Sequence, residues 1–220
     1  MNYVCVEGVD GVGKTTIMRA LADQMIVDGI KFILTKEPGG PEALAFEWNT
    51  DAFNYPFGNM YRGFRDMCVD HPEIPQLVKR ALYKADSFYN WLTVSKPVLK
   101  AGNTVLSDRS WLSDLAYGKA VAGLELEQLM AFNTSLIPEQ QAATRVIYLT
   151  CDPVIRAKRL AANMTDAADS LVSAVQLELV SAYAEAIGRY VKEFVVIDSS
   201  MPVEYCVEQA KAFVYAGIKK

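Results

Sequence analysis

The 220-residue sequence holds a single histidine, His71, and four scattered cysteines, Cys5, Cys68, Cys151 and Cys206, with no C-x-x-C pair. That scarcity leaves no Cys/His metal cluster and no disulfide framework to read. Free thiols in a reducing cytoplasm are the expectation. No apolar run approaches the ~18 residues that span a bilayer, so no membrane partner is expected. Met1-Asn2-Tyr3 opens the chain without a basic stretch or a small-residue cleavage site, which reads as no signal peptide. Basic residues are also few. The 22 Lys and Arg stand against 26 Asp and Glu, a net charge of −4. Extended nucleic acid binding normally needs a basic surface and is not expected here. Internal repeats and low-complexity segments are absent from the sequence as well.

What is present points to a folded enzyme. Hydrophobic residues make up 51% of the chain, enough for a sizeable core. Short apolar runs alternate with helical periodicity. Strands are expected at Tyr3 to Val6, Lys31 to Leu34, Thr104 to Leu106, Arg145 to Leu149 and Phe194 to Ile197. Helices are expected from about Thr15 to Asp28, Glu73 to Lys100, Trp111 to Val121, Glu125 to Ser135, Pro153 to Ala162, Leu171 to Val191 and Pro202 to Tyr215, with a short one at Gly63 to Val69. Thr35 to Pro41, with Pro38-Gly39-Gly40, reads as a loop. Alternation of this kind implies an α/β fold: a five-stranded parallel sheet with helices on both faces, in one domain over residues 1–220. Ligands of such sheets bind at the carboxyl ends of the strands.

Gly8-Val9-Asp10-Gly11-Val12-Gly13-Lys14-Thr15 fits G-x-x-x-x-G-K-[ST] in full and lies between an expected strand and an expected helix. The glycines let successive N–H groups curl toward phosphate oxygens, and the helix start adds its positive dipole end. Gly8, Gly11, Val12, Gly13, Lys14, Thr15 and Thr16 are therefore the candidate ATP-phosphate residues. Lys14 should reach the β- and γ-phosphates, and the Thr15 hydroxyl should ligate Mg²⁺, with Asp108 orienting the ion through water. Phosphate binding alone does not separate a kinase from a switch or a motor.

Three further segments narrow the choice: Thr35-Lys36-Glu37-Pro38-Gly39-Gly40, Leu82-Tyr83-Lys84-Ala85-Asp86, and Asp108-Arg109-Ser110-Trp111-Leu112-Ser113-Asp114-Leu115-Ala116-Tyr117. With Glu7-Gly8-Val9-Asp10-Gly11, and in that order, they resemble the thymidylate kinase family. Its motifs run E-G-x-D-G-x-G-K-T, T-R-E-P-G-G, L-F-x-A-D-R and D-R-Y-x-x-S-x-x-A-Y. The resemblance covers most of the chain up to Tyr117 and returns weakly at Val195-Val196-Ile197-Asp198. It implies a P-loop kinase fold with a short lid at about 160–172, ATP as donor, and a small nucleotide monophosphate as acceptor. It also implies that Asp10 lies near the acceptor sugar and the metal, that Arg109 and Arg65 bind the acceptor phosphate, that Tyr83 stacks on the base, and that Tyr117 disfavours a 2′-hydroxyl. A small nucleotide acceptor is the expected partner, and a homodimer stays open.

The departures from that pattern are specific. The arginine that reads the base four residues after the aromatic is Ser87 here. Asp114 stands where relatives carry a small or amide residue, and an ionised carboxylate only accepts hydrogen bonds. The pair predicts a base that offers a donor, such as an amino group at C4 or a 5-substituent, rather than thymine. The stretch 42–62 reads as an insertion beside the acceptor pocket. The lid segment Asn163 to Asp169 has no Lys or Arg, and Arg156, Lys158 and Arg159 just before it are the candidate substitutes. Two other readings stay open. Asp108-Arg109-Ser110-x-x-Ser113-Asp114 and Glu37-Pro38 also resemble deoxynucleoside kinases, in which Glu37 would be the general base for a hydroxyl acceptor. A nucleotide-binding switch without a small acceptor is the third, although no guanine-reading Asn/Thr-Lys-x-Asp motif is present.

Overall fold

The computed structural model describes residues 2–38, 40–44, 73–163 and 175–218. Most of the expected lid and insertion lies outside them, as do Arg65, Cys68, His71 and the short helix expected at Gly63 to Val69.

The described elements run β1 (Asn2–Glu7), α1 (Lys14–Val27), β2 (Phe32–Lys36), β3 (Gly40–Leu44) and α2 (Gln76–Asn90). Helix α2 continues through a π-helical turn (Trp91–Ser95) into α3 (Lys96–Lys100), and Pro97, with no N–H to donate, follows the widened turn. Then come β4 (Thr104–Asp108), α4 (Trp111–Ala122), α5 (Leu126–Leu136), α6 (Pro138–Ala143), β5 (Thr144–Thr150), α7 (Pro153–Asn163), α8 (Gln176–Tyr190), β6 (Phe194–Asp198) and α9 (Val203–Ala216).

The five expected strands form a parallel array in the order β2-β4-β1-β5-β6. A sixth, β3, pairs antiparallel with β2 at the edge, where the sequence predicts a loop as far as Pro41. Its sequence, Gly-Pro-Glu-Ala-Leu, has neither alternation nor β-branched residues, so backbone pairing to β2 rather than propensity makes it a strand. A proline is tolerated there because an edge strand leaves one side of its backbone unpaired. Helix α6 is likewise absent from the sequence expectations; Pro138 opens it at a position where the missing N–H costs nothing.

β1 is the central strand, and all six of its residues are buried. Its alternate side chains divide between two cores. Val4 and Val6 join the larger one with Leu21, Leu112 and Tyr183, and Tyr3 and Cys5 join a smaller one with Trp91, Val98 and Val105. Burial on both faces explains the unbroken apolar run. The parallel register sets Val6 and Lys36 beside Asp108, so the carboxyl ends of β1, β2 and β4 lie together. Glu7, Glu37 and Arg109 follow at that edge.

Candidate active site

The chain leaving β1 turns over the end of β5. Gly8 adopts φ +144°, and a Cβ there would stand 2.6 Å from the Leu149 carbonyl oxygen, which only glycine avoids. The loop ends at Gly13, which caps α1, and Lys14 begins the helix. The Lys14 ammonium is buried and donates to the carbonyls of Gly8 (2.9 Å) and Val9 (3.1 Å). Burial and the neighbouring Arg109 lower its pKa to about 8, against the pull of Asp10, Asp108 and Glu7. Residues Gly11 to Thr16, Lys36, Asp108 and Arg159 line a cavity of about 680 Å³.

Arg109, one residue past β4, takes the left-handed conformation at φ +72°. Its N–H donates to the Val6 carbonyl (3.1 Å), and the Ser107 hydroxyl donates to the Arg109 carbonyl (2.7 Å). The turn leaves Ser110 to cap α4, where it accepts from the Leu112 N–H at 3.2 Å. The guanidinium points inward. It donates to Asp10 and, at 3.2 Å each, to the hydroxyls of Ser113, Tyr117 and Tyr183. Burial alone would lower its pKa, but Tyr117, Tyr183, Asp10 and Asp108 more than reverse this and keep it charged. Burial would raise Asp10, yet Arg109, Lys14 and the Tyr117 hydroxyl (2.9 Å) hold it below the usual carboxylate value. Tyr117 itself is pushed up to about 12 by burial.

A second cavity, of about 350 Å³, adjoins the first. Asp10 and Arg109 line both. Helix α2 contributes Arg80, Tyr83, Lys84 and Ser87 to its wall, and α4 contributes Ser113, Asp114 and Tyr117 opposite them. Glu37 lies in the same wall, where burial raises its pKa to about 7 although Tyr3, Lys84 and Ser87 work against the shift. Its Oε1 accepts from Tyr3 (2.8 Å) and Gln140 (2.7 Å).

The structure thus gathers Asp10, Glu37, Tyr83, Ser87, Arg109, Asp114 and Tyr117 around one cavity and the phosphate-loop residues, with Asp108, around the other. Arg65 lies outside the described residues. Asp114 differs from expectation in its partners. Both carboxylate oxygens already accept, Oδ1 from Arg80 (2.7 Å) and Oδ2 from Asn133 (3.0 Å), and Lys84 Nζ is 3.5 Å from Oδ2. Among the cations before the lid, Arg156 donates to the Asp10 carbonyl (3.2 Å) and to Gln176, and Arg159 donates to the Ser199 carbonyl (2.8 Å). Lys158 is exposed.

Sequence reasoning passes over several residues. Glu7, fully buried, accepts from Ser110 (2.7 Å) and Ser113 (2.6 Å), the same Ser113 that Arg109 contacts. Tyr183, far away in the chain, donates to Glu7 as well (3.2 Å). Arg80 and Lys84 are detectable in principle, because positions 80, 83, 84 and 87 share one face of a helix. Tyr183 leaves no signal in the sequence.

A magnesium site can be tested on these residues. Asp108 Oδ1 is buried and has no hydrogen-bond partner among the described residues, and Asp108 shares its cavity with Thr15. Among the described residues, no group of three or more His, Cys, Asp or Glu is placed to hold a metal ion. That donor set fits an ion held chiefly by phosphate and water oxygens, as Mg²⁺ is. Among the described residues, no helix is long and apolar enough to cross a membrane.

Comparison with known proteins agrees with this geometry. The thymidylate kinase family model matches residues 6–43 and 54–210. A thymidylate kinase of Bacillus licheniformis is 27% identical over 99% of this chain and 97% of its own. One from a Synechococcus strain is 28% identical over the same shares, 99% and 97%. A probable thymidylate kinase of Thermococcus kodakarensis is 35% identical over 60% of this chain and 59% of its own. With a phosphate loop and a second cavity meeting at a partly buried arginine, and a family match over most of its length, the chain belongs to the thymidylate kinase family and is an ATP-dependent nucleoside monophosphate kinase.

Proposed function

We propose that the larger cavity takes ATP with Mg²⁺, the smaller takes a pyrimidine deoxynucleoside monophosphate, and the γ-phosphoryl group passes between them at Asp10 and Arg109. The bond from the γ-phosphorus to the β–γ bridging oxygen breaks, and a bond to an acceptor phosphate oxygen forms. The products are ADP and the deoxynucleoside diphosphate. The observation that carries the reading is that Asp10 and Arg109 line both cavities.

Such a transfer needs alignment and cations more than covalent help. The loop N–H groups and Lys14 hold the donor phosphates. Lys14 leaves its carbonyl partners for phosphate oxygens, which raises its depressed pKa and keeps it charged. Arg109 binds the acceptor phosphate, and a planar guanidinium suits bidentate contact with it. Glu7 acts through Ser113 to hold Arg109 in place. Tyr83 stacks on the base, and Tyr117 fills the space a 2′-hydroxyl would need. Thr15 and Asp108 would hold magnesium, which when bound would supply charge neutralisation at the donor phosphates. The three described cysteines are free thiols, which suits a reducing cytoplasm.

An ADP-release assay over deoxynucleosides, deoxynucleoside monophosphates and matched ribonucleotides tests the reading. Turnover of deoxy monophosphates, with their ribo counterparts slower, is the expected result. Turnover of nucleosides but not of monophosphates would overturn it, and equal deoxy and ribo rates would remove Tyr117 from its role.

A further inference from the structure

Arg109 turns two edges to the protein, and they differ. Nη2 donates to Asp10 and to the Tyr117 hydroxyl, and both of these residues stand in the wall of the smaller cavity. The Asp10 side chain is 36% exposed. Nη1 donates, at 3.2 Å each, to the hydroxyls of Ser113 and Tyr183. Tyr183 is fully buried and is absent from the described walls of both cavities, so it meets the site only through other side chains.

The Nη1 partners are themselves fixed. The Ser113 hydroxyl donates to Glu7 Oε2 at 2.6 Å, and the Tyr183 hydroxyl lies 2.7 Å from Ser113 Oγ and 3.2 Å from the same Glu7 oxygen. Each hydroxyl has one hydrogen. Ser113 gives its own to Glu7, so the Tyr183 hydrogen turns to Ser113 or to Glu7. In either case the phenol oxygen is left to accept from Arg109. Burial and the Glu7 carboxylate keep the phenol protonated, although Arg109 pulls the other way. Neutral oxygens on this edge fix the direction of the guanidinium without pairing its charge. The carboxylate in direct contact, Asp10, sits on the cavity edge, where an incoming anion can take its place.

A second observation is independent of that one. Tyr183 belongs to α8, and the first residue of this helix reaches the same centre. Gln176 accepts from Arg156, and Arg156 donates to the Asp10 carbonyl at 3.2 Å. Positions 176 and 183 are about two turns apart and share a face of the helix. One helix therefore grips Asp10 twice, through Arg156 at its backbone and through Arg109 at its carboxylate.

We propose that Tyr183 is a positioning residue for the acceptor phosphate: with Glu7 it fixes the Nη1 edge of Arg109, so that the Nη2 edge is the one the phosphate takes. The inference rests on the monophosphate-kinase reading above and adds α8 to it as the element that aims the arginine. Asp10 holds the Nη2 edge in the free protein and yields it when the phosphate dianion arrives. Tyr117, which donates to Asp10 Oδ2 at 2.9 Å, keeps the displaced carboxylate beside the cavity.

The test is equilibrium binding, by calorimetry, of dTMP and of its nucleoside thymidine to the intact protein and to Tyr183→Phe, with dCMP and deoxycytidine measured alongside. Tyr183→Phe keeps the ring that packs against Tyr148 and removes the hydroxyl. Monophosphate affinity should fall by ~3- to 10-fold, the range for one lost hydrogen bond. Nucleoside affinity should be unchanged and ATP KM little changed, because a ligand without the acceptor phosphate does not use the aim of Arg109. A merely structural role would weaken nucleoside and monophosphate together. Tyr183→Phe should also add nothing to Arg109→Lys, since an ammonium has no second edge to hold. Monophosphate affinity that survives Tyr183→Phe, a parallel loss for the nucleoside, or a full additional loss on top of Arg109→Lys overturns the inference. If the unaltered protein binds monophosphates no better than nucleosides, it is the underlying kinase reading that fails.

Discussion

Arg109 allows backbone and side chain to be tested apart. At φ +72° it holds a conformation that costs a non-glycine residue about 1 kcal/mol or more. Arg109→Ala removes the guanidinium and keeps the Cβ; Arg109→Gly removes both. Each variant gives up the same guanidinium hydrogen bonds, so the difference between them isolates the backbone. Arg109→Gly should be the more stable by about 1 kcal/mol, or roughly 2–4 °C in Tm for a chain of this size. The sign is informative, since at an ordinary position glycine is the less stable by ~0.5–1 kcal/mol. Activity should be lost in both. A charge-assisted contact to phosphate is worth ~1.5–3 kcal/mol, roughly 10- to 150-fold in acceptor affinity. ATP should suffer less, because the hydroxyls that orient the guanidinium, Ser113 and Tyr117, belong to the acceptor wall. Thermal denaturation of the pair, with KM measured for each substrate in turn, gives both answers. An alanine variant as stable as the glycine variant would refute the backbone argument. Equal weakening of ATP and acceptor would refute the placement of Arg109 on the acceptor side.

Lys14→Met should abolish transfer in a folded protein, since among the described residues the ammonium bonds loop carbonyls and pairs with Asp10; phosphoryl transfer in a variant with a native circular dichroism spectrum and melting curve would count against the phosphate-loop mechanism. Glu37 titrates near pH 7 in the folded state against 4.5 when unperturbed, so the folded state binds the extra proton and stability falls as pH rises through that window. Glu37→Gln should therefore gain on the unaltered protein by about 3 kcal/mol between pH 4.5 and pH 8, measured by urea denaturation, and a flat difference would refute the shift. Gly118→Ala should push the Arg80 guanidinium off Asp114 and raise acceptor KM more than ATP KM, with little net change in the same assay, because the guanidinium is the far end of a flexible side chain and alanine adds helix propensity.

The parallel sheet is legible because its strands are buried on both faces. Unbroken runs such as Tyr3-Val4-Cys5-Val6 carry that burial openly, and helices between them leave few topologies to choose from. The phosphate loop is legible for a different reason: its backbone path demands glycine at fixed spacing, and at Gly8 a Cβ would stand only 2.6 Å from a carbonyl oxygen. β3 is not legible. A strand of Gly, Pro, Glu, Ala and Leu exists through its partner's backbone, and that information lies in β2, not in its own side chains.

The candidate site divides along the same line. Residues that must meet phosphate lie in short motifs just past a strand end, as with Lys14 after β1 and Arg109 after β4. Residues that set charge inside the acceptor cavity come from separate elements. Asp114 read in sequence is an acceptor awaiting a donor, because nothing near it in the chain is placed to donate to it. In the fold, Arg80 and Lys84 arrive from α2 and Asn133 from α5, and the same carboxylate becomes a fixed counter-charge. Glu7 behaves alike. It stands in a recognisable motif, but its purpose as the anchor of Ser110, Ser113 and Tyr183 depends on hydroxyls more than a hundred residues away. A titratable residue in a sequence therefore specifies what it can do, and the partners that decide what it does are supplied by the sheet that brings distant helices together.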